Sequence, residues 1–346
     1  MNSRKRFSNA LKIALGLAIT VLALYFFFKS VSLHEVLGHL KRLNALTVLA
    51  VIGLTLLSLY LRGLRMKYLL PRQEGASDKG MMAVVTVAFM ANNVLPARIG
   101  EAVRVFLLYK KNRYSLHSSL GVVAVERVID STGYALCVLI PAAFYLPLFR
   151  TRQFMGAVPV MYLVKFTFVA ACCAILAGLL YRLFPGRFLG LFSALSDRLW
   201  RPVGRALGHL VTLLRESTEW MFNLQRTAIV LALTPLVLGS YVSMMFILAR
   251  ALDVDLRPLQ ALFSAGVVAF GVALPSSPGY VGTLHLALRE SFLVFGFTAS
   301  AGAAVAILYH LISWAVTVVA GIFFYFRMDV RFSQMKIPES GREGQK

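Results

Sequence analysis

The amino-acid sequence predicts an all-α membrane protein that crosses the bilayer several times. Of its 346 residues, 58% are hydrophobic and only 15% are charged, whereas soluble domains carry about 25% charged residues. The apolar residues form blocks long enough to cross a hydrocarbon core of roughly 30 Å, which takes about 20 helical residues. Pro, Gly and polar residues interrupt two of these blocks. We therefore predict six full spans and two broken, re-entrant hairpins in a single membrane domain, 1–346.

Six apolar blocks are uninterrupted and are predicted to be full spans. The first follows a basic segment, Arg4 to Arg6, and has no small-x-small cleavage site before Lys29. We therefore interpret it as a retained anchor rather than a signal peptide. The predicted spans are residues 11–28, 45–61, 119–149, 158–182, 227–249 and 299–326.

The two interrupted blocks, 81–108 and 258–295, consist of apolar pieces too short to be independent spans. Irregular backbone at membrane depth is tolerated only where protein or water covers it, so both blocks are predicted to be re-entrant hairpins. Each contains Val-Ala-Phe and then a Leu-Pro-x-x-x-Gly motif. The predicted turn residues are Pro96, Gly100, Pro275, Pro278, Gly279 and Gly282.

The similarity between the two blocks predicts an inverted repeat, an arrangement found in many secondary transporters. The first repeat would be residues 45–149 with hairpin 81–108, and the second would be residues 227–326 with hairpin 258–295. In each repeat a full span precedes the hairpin and another follows it. Chance convergence on residues that favour turns is the alternative explanation.

The net charge of +21 would suggest nucleic-acid binding in a soluble protein, but here the basic residues follow the topology. With the N-terminus inside and both hairpins returning to their side of entry, the inner segments hold 24 Lys and Arg and the outer loops hold 7. This bias predicts a protein of the cytoplasmic (inner) membrane with both termini in the cytoplasm. The expected partner of the inner basic residues is anionic lipid, and no nucleic acid is needed.

The longest polar stretch, residues 183–226, is predicted to be a cytoplasmic connector between the repeats. Apolar residues recur at spacings of three and four between Phe188 and Leu214. This pattern indicates one or two amphipathic helices on the membrane surface, with Trp200 and Trp220 at headgroup depth. A solvated linker is the alternative.

Charged residues within apolar blocks are costly and are usually functional. The densest set is Arg98, Glu101, Arg104, Glu126, Arg127 and Asp130. The first three share one face of the helix that Pro96 is predicted to begin, and Asp130 lies about 15 Å deep in the next span. The carboxylates can neutralise the arginines, either as an internal clamp or as a clamp that also contacts substrate. A helix N-terminus beside arginines suits an anion such as phosphate.

Neutral polar residues near both predicted turns complete the candidate translocation site. They are Asn92, Asn93, Ser276, Ser277, Tyr280 and Thr283, together with His310 in the last span. The repeat places His310 near the position of Asp130, although a packed, hydrogen-bonded histidine is the alternative. The cysteines lie in apolar segments without metal-ligand spacing, so no metal or cofactor is expected.

Several of these motifs together resemble the lysylphosphatidylglycerol synthase transmembrane-region family, over about residues 40–330. They are the run from Asn93 to Glu101, then Arg104, then Glu126 to Asp130, and the Pro278 to Thr283 turn. This family includes the lipid-flippase domain of the multiple peptide resistance factor. The resemblance implies a polytopic fold with re-entrant elements that translocates a polar lipid, and it implies roles for the matching charged residues. The aminoacyl-transfer domain of full-length members has no counterpart in this sequence, so the resemblance does not identify which lipid is moved.

The leading hypothesis is therefore a lipid transporter, or flippase, that moves a polar, phosphate-bearing lipid and is not an enzyme. A membrane-embedded transferase is one alternative, because Asp253-Val254-Asp255 has a spacing that can hold a divalent metal. A non-transporting scaffold of lipid synthesis is the other. Expected partners are a phospholipid or other polar lipid, and either a second copy of the chain or a lipid-synthesis enzyme.

Overall fold

A computed structural model of the protein describes residues 16–29, 31–71, 77–95, 99–110, 112–198, 208, 213–274 and 276–328. The described residues are almost entirely helical. The first eight helices are α1 (Gly16–Phe28), α2 (Leu33–Leu40), α3 (Ala45–Leu69), α4 (Asp78–Val94), α5 (Gly100–Lys110), α6 (Leu116–Thr151), α7 (Val160–Leu183) and α8 (Pro185–Arg198). After the connector come α9 (Leu224–Ala251), α10 (Pro258–Ala273), α11 (Thr283–Val294) and α12 (Ala299–Arg327). Strands β1 (Gln153–Phe154) and β2 (Val158–Pro159) form a small antiparallel pair between α6 and α7.

Five of the described helices are long and apolar enough to cross a membrane: α3, α6, α7, α9 and α12. Each corresponds to one predicted span. The first predicted span, 11–28, contains α1, which meets α2 at a bend of 83° and makes a sixth span if the pair crosses as one. Residues 11–15 lie outside the described part of the chain. The prediction of an all-α, multi-pass membrane protein is thus confirmed.

Both interrupted blocks are broken where the sequence predicts. The first consists of α4 and α5, separated by residues 95–99, and the second of α10 and α11, separated by residues 274–282. The backbone of Gly100 lies against Ala88 and Asn92 of α4, and Gly271 of α10 lies against Thr283 of α11. Since the start of each second helix packs beside the end of the first, the chain folds back on itself in both blocks. We name α4–α5 the first hairpin and α10–α11 the second hairpin.

The second helix of the first hairpin begins at Gly100, not at Pro96 as the sequence predicted. Asn92 explains this start, because its Oδ1 accepts a hydrogen bond of 2.8 Å from the Gly100 N–H. An asparagine oxygen thereby satisfies one of the free amides at the helix N-terminus. Residues 96–98 lie outside the described residues.

Gly100 has no room for a side chain, which makes it a sensitive position. A Cβ there would lie 2.0 Å from the carbonyl oxygen of Ala88, whereas a Cβ at Gly178 of α7 would meet nothing within 4 Å. We expect Gly100→Ala to lower the free energy of unfolding by about 1–3 kcal/mol and Gly178→Ala to change it by no more than about 0.5 kcal/mol. Thermal unfolding of the purified protein in detergent measures both. Equal melting temperatures for the two variants would contradict the close approach of the helices.

The helices on either side of the connector pack in a reciprocal pattern. α3 packs on α9 at the centre, α4 packs on α12, and α10 packs on α6. α7 packs mainly on α6 and leaves apolar side chains such as Phe166 and Val169 exposed. Exposed apolar side chains on a membrane-spanning helix are typical of a surface that faces lipid.

In the connector, α8 lies where an amphipathic helix was predicted, and residues 213–217 and Glu219–Phe222 are also helical. Residues 199–207 and 209–212, including Trp200, lie outside the described part. The end of the connector is held to the helices, since Ser115 and Ser118 at the start of α6 donate hydrogen bonds to Glu216 at 2.7 and 3.1 Å. Trp220 is only 5% exposed and packs in a cluster with Met66. This part of the connector therefore packs against the helices, and the depth of Trp220 in the membrane stays a prediction.

Candidate functional site

A cavity of about 360 Å³ lies between the two hairpins and is enclosed by α3, α6, α9 and α12. Asn93, at the end of α4, and Tyr280, in the turn of the second hairpin, both line it. The two hairpins also meet beside the cavity. A Cβ at Gly279 would lie 3.2 Å from the carbonyl oxygen of Asn93, which also accepts a 3.4 Å hydrogen bond from Trp314 Nε1. Breaks in two helices thus meet at one cavity.

One wall of the cavity is formed by an ion-pair network. Its described members are Arg62, Arg65, Glu101, Arg104, Glu126, Arg127 and Asp130. Asp130 accepts hydrogen bonds from Arg62 at 2.9 Å and from Arg65 at 2.6 Å. Glu126 accepts hydrogen bonds from Arg65 at 2.9 Å and from Arg104. The network therefore joins three helices, α3, α5 and α6, through charges that are almost fully buried.

Arg127 occupies the edge of this network. Its Nη2 lies 3.3 Å from Asp130 Oδ2, and its Nε lies 3.9 Å from Glu101 Oε1. Neither nitrogen makes a hydrogen bond to a described residue. The Arg127 and Glu101 side chains are 38% and 48% exposed and both line the cavity. Arg127 is thus a partly exposed cation that lines the cavity, and the two donors without a partner are buried nitrogens.

The described part of the network has four arginines and three carboxylates, a formal charge of +1. Arg98, the remaining predicted member, lies outside the described residues. A buried charge without a counter-ion is unfavourable in apolar surroundings. This excess positive charge beside a cavity therefore favours binding of an anion.

Arg62 and Arg65 belong to the network although the sequence did not predict them as site residues. The predicted span ended at residue 61 and left both arginines in an inner loop, but α3 continues to Leu69 and buries them. Together with Thr55 and Ser58 they form a polar stripe along one face of this otherwise apolar helix. This stripe is the sequence feature that could have predicted a polar contact of α3 inside the protein. Of the predicted arginine partners among the described residues, Arg104 contacts Glu126, and Arg127 contacts both Glu126 and Asp130. The closest partners of Asp130 lie on α3.

Aromatic side chains surround the arginines on the cavity side. The Arg62 guanidinium lies 5.2 Å from the centre of the Phe89 ring, and that of Arg104 lies 5.4 Å from the same ring. Arg62 Nε also donates a hydrogen bond of 3.2 Å to the hydroxyl of Tyr241. Cations over ring faces are stabilised electrostatically, so these rings hold the guanidinium groups in place. The opposite wall is neutral and includes Tyr280, Tyr309, His310, Ser313 and Trp314.

The structure brings most of the predicted site residues to one cavity. Those that line it are Asn92, Asn93, Glu101, Arg104, Arg127, Asp130, Tyr280 and His310. Glu126 lies behind this wall in the network. Ser276, Ser277 and Thr283 are not part of the cavity lining; Ser277 instead donates its N–H to Thr20 of α1 at 2.9 Å, and Thr283 Oγ1 donates to the carbonyl of Tyr280 at 3.4 Å.

The predicted turn residues of the second hairpin have the backbone that glycine permits. Gly279 and Gly282 have φ values of +70° and +87°, a region that side chains with a Cβ disfavour. Pro278 begins a short 3₁₀ turn, Pro278–Tyr280. Pro96 and Pro275 lie outside the described residues.

The carboxylates of the Asp253-Val254-Asp255 motif are both paired with arginines. Asp253 contacts Arg42 and Asp255 contacts Arg250, and all four side chains are exposed. Within the described ranges, no group of three or more His, Cys, Asp or Glu side chains could hold a metal ion. The geometry therefore gives this motif no support as a metal site.

A buried ion-pair network beside a cavity between two broken helical hairpins defines a polytopic membrane protein with a polar site inside its helical bundle. The chain belongs to the lysylphosphatidylglycerol synthase transmembrane-region family, whose model matches residues 13–321. This confirms the family resemblance of the sequence motifs. The chain is also 27% identical over 348 residues to the glycosyltransferase AglD of Haloferax volcanii. That similarity covers 92% of this chain and 55% of AglD, so the chain spans about half the length of this relative. No solved structure matches the chain.

Proposed function

We propose that this protein moves a polar, phosphate-bearing lipid across the cytoplasmic membrane through the cavity between its hairpins. The observation that carries the proposal is the excess positive charge of the network at the wall of that cavity. Guanidinium groups bind phosphate with paired, charge-assisted hydrogen bonds. The family name refers to a phosphate-bearing lipid, lysylphosphatidylglycerol, and this agrees with the proposed class of substrate.

We propose that the headgroup enters the cavity at its mouth while the acyl chains stay in the bilayer. Glu101 and Ser131, which line the cavity, are exposed. Apolar side chains beside them, Ile99 and Val128, are 39% and 55% exposed. A polar opening flanked by exposed apolar residues suits a molecule with a charged head and hydrocarbon tails.

An inverted repeat remains part of the proposal, and the helix packing supports it. In the proposed repeat, α3 corresponds to α9, α4 to α10 and α6 to α12. The contact between α4 and α12 then corresponds to the contact between α10 and α6. The contact between α3 and α12 likewise becomes that between α9 and α6. Transporters built from inverted repeats bind substrate where the repeats meet, which supports the cavity between the hairpins as the proposed site.

We also propose that both termini face the cytoplasm and that the two hairpins are re-entrant from opposite sides. The predicted inner segments hold 24 basic residues, and 22 remain when Arg62 and Arg65 are assigned to α3. The outer loops hold 7. The positive-inside bias thus survives the correction to α3. Accessibility of single cysteines at positions 34 and 115 to an impermeant thiol reagent tests this orientation, because the two positions should be labelled from opposite sides.

Replacing Arg127 tests the proposed function. In proteoliposomes, we expect Arg127→Gln to slow the movement of a fluorescent phosphatidylglycerol by about 10–100-fold, since a hydrogen bond to a charged group contributes roughly 1.5–3 kcal/mol. The matched control is Arg250→Gln, which removes an exposed arginine paired with Asp255 and should leave the rate unchanged. A folded Arg127→Gln protein that moves this lipid at the unchanged rate would refute the proposed role of the cavity.

A transferase that uses a lipid-phosphate donor is the second candidate. The similarity to AglD favours it, because that relative is named a glycosyltransferase. The test is metal-dependent turnover of a lipid-phosphate sugar by the purified chain and its loss in Asp253→Asn. Lipid movement without any turnover would remove this candidate.

A further inference from the structure

Two histidines form a hydrogen-bonded pair where the second hairpin meets α12. His285 lies in the first turn of α11, and its Nε2 is 3.3 Å from Nδ1 of His310. The two ring centres are 4.7 Å apart. The other ring nitrogen of His285, Nδ1, accepts a hydrogen bond of 3.3 Å from the N–H of Gly282. His310 lines the cavity, so the pair connects the hairpin turn to the proposed site.

These contacts determine where the protons lie. A neutral imidazole has one donor and one acceptor nitrogen. Because Nδ1 of His285 accepts from the Gly282 N–H, the proton of His285 is on Nε2, which then donates to His310 Nδ1. The proton of a neutral His310 must therefore be on its Nε2. One arrangement of two neutral rings satisfies both contacts.

An additional proton breaks this arrangement wherever it binds. If it binds Nδ1 of His285, that N–H opposes the Gly282 N–H. If it binds Nδ1 of His310, that N–H faces the Nε2–H of His285, and the hydrogen bond between the rings is lost. The proton of His285 can move from Nε2 to Nδ1 to restore it, but the Nδ1–H then faces the Gly282 N–H. Every protonated form thus loses either the hydrogen bond between the rings or the one that holds Gly282.

Gly282 belongs to the turn that contacts the first hairpin. Three residues of this turn, Gly279, Tyr280 and Gly282, have positive φ values, a backbone that needs contacts to hold it. Gly279 packs against the Asn93 carbonyl of α4. Loss of the Gly282 hydrogen bond therefore weakens the contact between the two hairpins at the edge of the cavity.

The elements packed around the pair carry several charged and titratable side chains. They include Tyr25 of α1, Arg62 of α3, Glu126, Arg127, Asp130 and Tyr134 of α6, Tyr241 of α9, Tyr280 of the turn, Arg289 and Glu290 of α11, and Tyr309 of α12. Arg62 pairs with Asp130, and Arg289 with Glu290. α10 has no ionisable residue, and those of α4 are at its far end, Asp78 and Lys79. α2 meets α12 at Ser300, about 15 Å along the helix from His310. Among the described residues, neither histidine has an ion-pair partner.

We propose that His285 and His310 form a proton-binding site that couples a proton gradient to lipid movement, with one bound proton releasing the turn of the second hairpin. This inference rests on the proposed lipid transport and adds its energy source. The coupling ligand is a proton, and His285 positions the ring of His310 at the cavity wall.

Proteoliposomes with an imposed pH gradient test the coupling. With one proton per lipid, each pH unit can shift the steady-state distribution of a fluorescent phosphatidylglycerol between the leaflets by up to about tenfold. We expect the unmodified protein to show this shift. Because an amide does not titrate, His285→Gln, at a position outside the cavity lining, should still move the lipid but without dependence on the gradient. The control is His34→Gln, which replaces an exposed histidine of α2 and should keep the dependence.

The outcomes separate the coupling from the transport itself. If the unmodified protein moves the lipid but the distribution does not depend on the pH gradient, the proposed coupling is wrong and the proposed function is unaffected. No movement at all overturns both. An independent measurement uses ¹⁵N-labelled histidine in nanodiscs. We expect both rings to carry their proton on Nε2 at neutral pH and the pair to take up a single proton. Two histidines that titrate independently of one another would overturn the proton-binding site whatever the transport assay shows.

Discussion

Asp130→Asn is expected to lower the free energy of unfolding by about 3–5 kcal/mol, because it leaves two buried arginines without their closest carboxylate. Asp130 accepts hydrogen bonds from Arg62 and Arg65, whose side chains are only 3% and 0% exposed. An asparagine keeps only one acceptor oxygen of the two that Arg62 and Arg65 use, and it carries no charge. The melting temperature of the detergent-purified protein and its yield from membranes measure the loss.

A matched control and a rescue make this prediction specific. Asp253→Asn also removes a carboxylate paired with an arginine, but that pair is exposed and should contribute less than about 1 kcal/mol. Arg65 would still contact Glu126, so Arg62 is the guanidinium left without a hydrogen-bonded carboxylate. Adding Arg62→Gln to Asp130→Asn removes this charge and should recover part of the lost stability. If Asp130→Asn melts like Asp253→Asn, the network does not stabilise the fold.

The sequence predicts the spans well because membrane thickness sets their length. The five long helices correspond to predicted blocks, and both helix breaks lie at the Leu-Pro-x-x-x-Gly motifs. Helix ends are predicted less well, as α3 illustrates. When a basic residue follows an apolar block, the sequence does not show whether it begins a loop or continues the helix. In α3 the helix continues, because neighbouring helices pack against Arg62 and Arg65 and bury them.

Side-chain pairing depends on tertiary contacts that a single sequence does not contain. Glu126 and Asp130 were identifiable because charges are conspicuous in an apolar block, but their partners on α3 lie about 60 residues earlier, at separations of 61 and 68. His285 was not a predicted site residue, since its partner lies 25 residues away on another helix. The partner of Glu290 is also distant in the sequence, since this buried carboxylate accepts a 2.6 Å hydrogen bond from the N–H of Met155.

Arg62→Lys is expected to slow lipid movement by about 10–100-fold although it keeps the positive charge, since hydrogen bonds to charged groups contribute roughly 1.5–3 kcal/mol each. The guanidinium of Arg62 donates to Asp130 at 2.9 Å and to the Tyr241 hydroxyl at 3.2 Å, and it lies over the Phe89 ring. A lysine ammonium is a point charge without the planar fork that makes these contacts together. The rate of phosphatidylglycerol movement in proteoliposomes measures the effect, and Arg42→Lys, at an exposed pair with Asp253, is the control.

Comparing Arg62→Lys with Arg62→Gln separates charge from geometry at the cavity wall. If the cavity attracts headgroups only through its net charge, Arg62→Lys should behave like the unmodified protein, and only Arg62→Gln should be slow. If the fixed direction of the guanidinium is needed, both variants should be slow to a similar extent. We expect the second result, because Arg62 is held from three sides, by α4, α6 and α9. A rate for Arg62→Lys equal to that of the Arg42→Lys control would show that charge alone is sufficient.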